Sequence, residues 1–405
     1  MEPRCRSGLR DGRLTFPDFD SDSKIDTCDR PVGEIDCHDL FRTTRVRSRC
    51  RSLSGVILLV ISLLAACGLG GYPSHEDPQH ALVVTADTTL VRDLKGSVMI
   101  RADDVTLDCA GHAITGLDTG AQGLWDDVGI LVADGTGVTV RNCIVSGFGY
   151  GIELKGWSGI SERNRLLDNT LSSNVEDGVL LNDSDLNVVR GNTASSNGGH
   201  GFAVLGDVNI LERNIAFGNE ADGFAVGEGS RDNTFDANTA TRNGGNGFGI
   251  AGTGHTFERN TARDNGAVGF AAVTGSGDVT FDANTAIRNE IHGFQILEPG
   301  SNRLDGNVAN GNGRVGFAVE VSAVGNVLYA NTARSNIEDG FRILSSENTF
   351  KGNVATENGG TGFKADGASN TYSKNAGCGN ALVDAMDGGL ENRWKDNDFC
   401  ITWGF

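Results

Sequence analysis

One spacing limits this chain more than any other. Asparagine recurs at Asn169, Asn192, Asn214, Asn238, Asn260, Asn284, Asn307, Asn331, Asn353 and Asn375, every 22 to 24 residues. A second Asn follows each of these five residues later, from Asn174 through Asn380. Three residues before each first Asn the side chain is apolar or aromatic, from Leu166 through Phe257 to Tyr372. Ten residues after it stands Phe in eight consecutive copies, Phe202 to Phe363, each preceded by Gly.

A helical repeat of this length needs amphipathic runs of about ten or more residues at 3.6-residue spacing, and none is present. Each period holds instead three short alternating segments, such as Thr256-Phe257-Glu258, Thr261-Ala262-Arg263 and Phe270-Ala271-Ala272. Stacked on themselves, they predict an all-β right-handed parallel β-helix of about 12–14 coils, with three short strands in each coil of 22–24 residues. Coils then lie ~4.8 Å apart, so one column of the repeat becomes one stripe along the solenoid. The Asn columns are expected at corners, because Asn tolerates left-handed backbone and stacked amides form ladders. Gly before Phe is expected to supply positive φ at the third corner. The solenoid is read as residues 81–380, with 381–405 (Trp394, Phe399 and Trp403 among them) as the cap that a solenoid needs at its open end.

The N-terminal region speaks to compartment. Arg42, Arg45, Arg47, Arg49 and Arg51 precede an apolar run from Val56 to Leu64, then Ala65-Ala66-Cys67. Basic, apolar and small segments in that order predict a secretory signal over 42–66, with 67–80 as a linker. Leu64-Ala65-Ala66-Cys67 resembles a bacterial lipobox, which implies cleavage before Cys67 and a lipid on its thiol. Gly68 after that cysteine implies, by the same resemblance, the outer membrane. Residues 1–41 are polar and patternless, a disordered extension or an overcalled start. Residues 1–66 carry 11 of the 34 basic and 10 of the 53 acidic residues, leaving 23 against 43. So acidic a remainder excludes nucleic acid, whose binders need a basic footprint. In an oxidising compartment Cys109, Cys143, Cys378 and Cys400 suggest two disulfides, Cys109–Cys143 and Cys378–Cys400, with connectivity open.

VTLDCAGHAITG, Val105 to Gly116, and VTVRNCIVSGFGYGI, Val138 to Ile152, together with the Asn repeat, resemble the right-handed parallel β-helix repeat family, with its pectate-lyase-like fold and its NosD-type and carbohydrate-processing members. The resemblance spans roughly 81–380 and implies the fold; function lives in sites grafted on it. The polygalacturonase-like constellation is not inherited: Gly199-His200-Gly201 is present, but Phe341-Arg342-Ile343-Leu344 lies six coils away and no Asn-Thr-Asp exists. Asp77-Pro78-Gln79-His80 only approximates the epimerase-like phrase. Copper handling, implied by the NosD-type likeness, wants clusters of Met, His and Cys, and His75, His80, His112, His200, His255 and His292 are scattered.

Two places could carry chemistry. The column before the corner Gly reads Tyr150, Asp177, His200, Asp222 in adjacent coils, a phenol, a carboxylate, an imidazole and a carboxylate within ~15 Å at strand spacing. Such a set could move the C5 proton of a uronate, with Tyr150 or His200 as acid and base. Longer early segments bring Trp125, Asp126 and Asp127, then Glu153, Lys155 and Trp157, as candidate ligand-binding residues, since insertions gather on the binding face of a repeat protein. No cofactor or metal site is expected; acidic turns such as Asp183 and Asp185 offer calcium some oxygens without a defined loop. The sequence therefore points to an extracytoplasmic, lipid-anchored solenoid that binds an extended polysaccharide along its side. A polysaccharide lyase or C5-epimerase acting on uronates is the alternative, and a purely structural or adhesive envelope protein the third.

Overall fold

A computed structural model describes residues 82–404, apart from 117–126, 158–160 and 274. Cys67, the leader, Trp125 and Asp126 lie outside the described residues. The architecture is the all-β right-handed parallel β-helix, three parallel sheets of 15, 14 and 14 strands, each coil adding one strand to every sheet. Strands are mostly three residues long. Thr256–Glu258 lies in the second sheet, Thr261–Arg263 in the third and Phe270–Ala272 in the first. Each pairs in register with its copy one period away, for instance Phe257 with Phe281 and Phe270 with Phe294.

Period-two alternation sorts these residues. In the second and third sheets the middle residue points inward, as Phe257 and Ala262 do, both fully buried. In the first sheet the outer two point inward, as Phe202 and Val204 do. The eight Phe from Phe202 to Phe363 stack with centroids 4.6–4.8 Å apart and planes within 6°. Coil rise and ring-stacking distance coincide, so each added coil gains a stacking contact worth about 0.5–1.5 kcal/mol beyond burial. Alanine fills the third sheet's inner column because the rings from the first sheet take up the volume.

The corners differ from the sequence expectation in two ways. The ladder asparagines do not hold the left-handed conformation; the residue before each does, as with Ala237, Arg259 and Ala283 at φ of 52–53°. The Asn that follows turns its amide inward. Asn260 Oδ1 accepts the Asn238 backbone N–H (2.8 Å) and the Asn238 side-chain amide (3.0 Å), and its own Nδ2 donates to the Phe235 carbonyl (2.8 Å). Corner N–H groups point into the core, where no strand reaches them, and a buried donor must be paired. The glycines before Phe do not have positive φ either. A Cβ on Gly201 would sit 2.6 Å from the Gly223 carbonyl oxygen and 2.8 Å from the Ala216 Cβ, so glycine is required there by close approach.

The solenoid also continues past residue 380. Ala385–Asp387, Arg393–Lys395, Asp398–Phe399 and Thr402–Trp403 extend all three sheets through the segment expected as a cap. Trp394 stacks on Tyr372 (3.9 Å) as a further ring of a second ladder, and Asn397 Oδ1 accepts the Asn375 N–H (2.9 Å). The repeat persists there in substance: Trp replaces Phe in the aromatic column and the Asn recurs at its usual interval. Disulfides join Cys109 to Cys143 and Cys378 to Cys400. The first lies in the core between neighbouring coils, the second ties the final coil to the one before it.

Candidate functional site

The outward row of the first sheet is set apart from those of the other two. Outward residues of the second and third sheets are half-buried to exposed, Ile210 and Ile215 reaching 44%, whereas Leu180 and Ala203 in the first sheet are 7% and 6% exposed. The face is therefore a trough, with a floor running Glu153, Leu180, Ala203, Ala225, Gly249, Ala271 in register from coil to coil. Its early end opens into a cleft of about 540 Å³ that brings together Tyr150, Asp177 and His200 with Glu153, Lys155 and Asn182.

Three of the four expected catalytic residues thus share one cavity with two of the expected ligand-binding ones. Asp222 lies one coil further along, its Oδ2 over Gly249, where a Cβ would come within 2.3 Å of it. Trp157 is 60% exposed, and the Lys155 ammonium lies 5.3 Å from its ring centroid. Asp127 is half-buried, and its carbonyl accepts the Tyr150 N–H. Burial raises its carboxyl pKa.

The column itself is first of all a device of the backbone. Asp177 Oδ1 accepts the His200 N–H (2.6 Å), His200 Nδ1 the Asp222 N–H (3.1 Å), and Asp222 Oδ1 the Asn246 N–H (2.5 Å). Asn246, His292 and Asp339 do the same for Val268, Val315 and Thr361 in later coils. A side chain with a short-reach acceptor suits this place, whether carboxylate, amide or imidazole. That accounts for the mixture of Asp, His and Asn.

This bonding decides what the cleft can do. With Nδ1 accepting from Asp222, the neutral His200 ring carries its proton on Nε2 and can donate from there; Nε2 has no lone pair to take a proton from a substrate. Burial, then the charges of Asp177, Glu176 and Glu153, raise the Tyr150 phenol, which disfavours phenolate. Burial likewise raises Asp177 and Asp222, against hydrogen bonds and His200 that pull them down. Glu153 is 2% exposed on the outside of the sheet and is held by Asn182 (3.0 Å) and Lys155 (3.3 Å). A buried carboxylate needs such partners, so the ammonium is already committed. The cleft is acidic and has little to offset a uronate carboxylate.

Two further groups bear on metals. Cys378, Asp384 and Cys400 place ligand atoms within 4.8 Å of one another, but the two sulfurs are bonded together. Asp185, one of the acidic turn residues, is used by the fold, its Oδ1 accepting the Asp207 N–H (2.7 Å). The structure also adds functional-looking residues that the sequence did not single out: Asn182, which braces Glu153, and Gly249, which makes room for Asp222.

Coiled parallel strands in three sheets and inward Asn ladders define a right-handed parallel β-solenoid. The chain belongs to the family described as right-handed β-helix region, which it matches over residues 121–258, 211–343 and 250–399. No protein of curated function matches it. Among solved structures it is similar to the A-module of mannuronan C-5 epimerase AlgE4 of Azotobacter vinelandii, at 16% identity over 76% of this chain and 87% of that one (TM-score 0.42). It is also similar to the catalytic unit of a GH87 α-1,3-glucanase of Streptomyces thermodiastaticus, at 16% identity over 80% and 62% (TM-score 0.42). The Dettilon tailspike protein follows at 17% identity over 61% and 54% (TM-score 0.36). The chain spans less than two thirds of the last two, and these likenesses are of fold alone.

Proposed function

We propose that the trough on the first sheet binds an extended polysaccharide lying parallel to the solenoid axis. The observation that carries this reading is the recessed outward row, Leu180 to Ala271, with small or apolar side chains as floor and a polar cleft at one end. A flat, narrow strip suits the faces of sugar rings, and sparse polar groups suit their hydroxyls. The Trp157 ring offers an edge platform. In this reading the protein sits outside the cytoplasm, held to the outer membrane through a lipid on Cys67. The His200 tautomer and the raised Tyr150 phenol favour binding over the proton abstraction that a lyase or epimerase requires.

The test is titration of the purified protein with neutral and acidic oligosaccharides, followed by saturation-transfer NMR, with Ala225→Trp as a variant that fills the floor. Transfer to a glycan that disappears in the variant is the expected result. Binding that Ala225→Trp leaves intact would place the ligand elsewhere, and transfer to no glycan would leave the solenoid a structural element. New unsaturated ends or a changed C5 configuration, lost in His200→Ala, would overturn the non-catalytic reading.

A further inference from the structure

Eight coils beyond Glu153, roughly 38 Å at strand spacing, the trough floor becomes basic. After Ala271 the register continues through Gln295, Ala318, Arg342 and Lys364. Arg342 and Lys364 are direct neighbours on adjoining strands and the same face. Like charges so placed repel and destabilise a sheet. In a chain with 34 basic against 53 acidic residues, two cations stacked on a recessed floor call for a cause.

Their own ion pairs do not saturate them. Arg342 Nη2 is 3.3 Å from Glu320, Nη1 is 3.7 Å from Glu338, and the Lys364 ammonium is 3.6 Å from Asp366. Charge-assisted hydrogen bonds run at about 2.7–2.9 Å. Gln295 reaches the same Glu320 oxygen at 3.3 Å. The Arg342 Nε–H is buried and has no hydrogen-bond partner. Asp339, the remaining nearby acid, is occupied by the Thr361 N–H (2.7 Å). The side chains of Arg342 and Lys364 are 22% and 33% exposed, enough for a ligand to touch. Loose acids stand around the pair, and donors are left over between them.

We propose that Arg342 and Lys364 form a subsite for a single anionic group, a carboxylate or a sulfate ester, on a glycan whose remaining units are neutral. This rests on the trough reading and deepens it. Glu153, Glu176, Asp177 and Asp222 repel charge at the early end; at the late end Glu320, Glu338 and Asp366 answer the cation pair only at 3.3–3.7 Å, so an anion that bonds Arg342 and Lys364 more closely displaces those long contacts. A uniformly charged polyuronate suits only half of such a trough. A sparsely acidic chain suits all of it, in one direction.

Two measurements decide the matter. In the first, inorganic sulfate is titrated at constant ionic strength while the Arg342 Nε–H is followed by NMR, assigned through Arg342→Gln. A saturable shift is expected, and its absence would overturn the subsite whether or not any glycan binds. In the second, a neutral oligosaccharide is compared with the same chain bearing one carboxylate or one sulfate. The acidic forms should bind about tenfold more tightly, the equivalent of ~1.4 kcal/mol. In Arg342→Gln/Lys364→Gln the ratio of acidic to neutral affinity should fall to about one, whatever the substitutions do to both chains alike. Lys364→Gln alone, which leaves the Glu320 contacts in place, serves if the double variant folds poorly. The ratio of carboxylate to sulfate binding names the group. Equal binding of neutral and acidic chains, or a preference that survives the substitutions, refutes the subsite and leaves the trough reading standing. Failure of every chain to bind would instead refute the trough reading.

Discussion

Replacing Asn260 by Ala removes one rung from the middle of a ladder, and the structure says what is lost. The Asn238 backbone N–H and side-chain amide lose their acceptor, and the Phe235 carbonyl loses its donor. The three groups differ in consequence. The Asn238 amide keeps its bond to the Leu211 carbonyl (2.8 Å), whereas the Asn238 N–H is left with nothing. A buried orphan costs about 1–3 kcal/mol, so one full and two partial losses come to about 3–5 kcal/mol. The outward neighbour Thr261, half-buried on the third sheet, is the control, and Thr261→Ala should cost under about 1 kcal/mol. Urea unfolding by circular dichroism gives both values, and amide exchange locates the damage. Because coils contact only their neighbours, exchange should rise first in the coils around Asn238 and Asn260. An Asn260→Ala cost no larger than that of Thr261→Ala would refute the argument that inward amides hold the corners.

Other outcomes follow from buried titrating groups and the last disulfide. Burial raises Asp177, so the folded state holds its proton more tightly than the unfolded chain does, and stability falls as pH rises from about 3.9 through the raised value. Asp177→Asn keeps the acceptor, as Asn246 does naturally, and should raise the melting temperature at pH 7 while changing little at pH 3; equal effects at both would count against burial as the cause. His292 is pushed down to about 4 by burial, then by Arg342, with Arg314 adding to this and Glu320 opposing it. A depressed imidazole contributes stability that is present above about pH 6.5 and lost as pH falls through about 4, so His292→Asn should flatten urea midpoints between those values. Reducing Cys378–Cys400, a 22-residue separation, should cost about 3 kcal/mol at most and speed amide exchange in 385–403, with the coils from Phe202 to Phe341 unaffected.

The solenoid was legible because its period is written in residues whose geometry repeats: Asn, Gly and Phe at constant offsets. One ladder escaped notice although it stands five residues before each first Asn, as Asn164, Asn187, Asn209, Asn233 and onward to Asn392. Two substitutions interrupt it. His255 takes the place of one Asn, its Nδ1 accepting the Asn233 N–H, and Val279 takes the next. The two corner errors have different sources: beside the Asn ladders a neighbour adopts the unusual φ that the sequence suggested for Asn, and before Phe the glycine is demanded by close packing and not by φ. The trough was not legible. Ala203 and Ala271 look like interior residues by type, and alternation within a three-residue strand cannot tell a recessed outer face from a core. Recess depends on the turns of neighbouring coils. The cation pair was hidden similarly, because Arg342 and Lys364 lie 22 residues apart and meet only through register.

The acceptor column separates structure from chemistry at His200 more cleanly than truncation can. His200→Ala removes the imidazole and the acceptor together, leaving the part-buried Asp222 N–H without its partner, a loss of about 1–2 kcal/mol. His200→Asn removes the imidazole alone, since Asn246 fills the same role two coils on by accepting the Val268 N–H. If His200 serves the fold and the shape of the cleft, His200→Asn should match the parent in melting temperature and in glycan affinity within about threefold, while His200→Ala melts lower. If the imidazole acts chemically, His200→Asn should be as stable as the parent and as inactive as His200→Ala. The pair of variants, read by melting temperature and by NMR of the glycan, therefore distinguishes a histidine that holds a coil from one that holds a substrate.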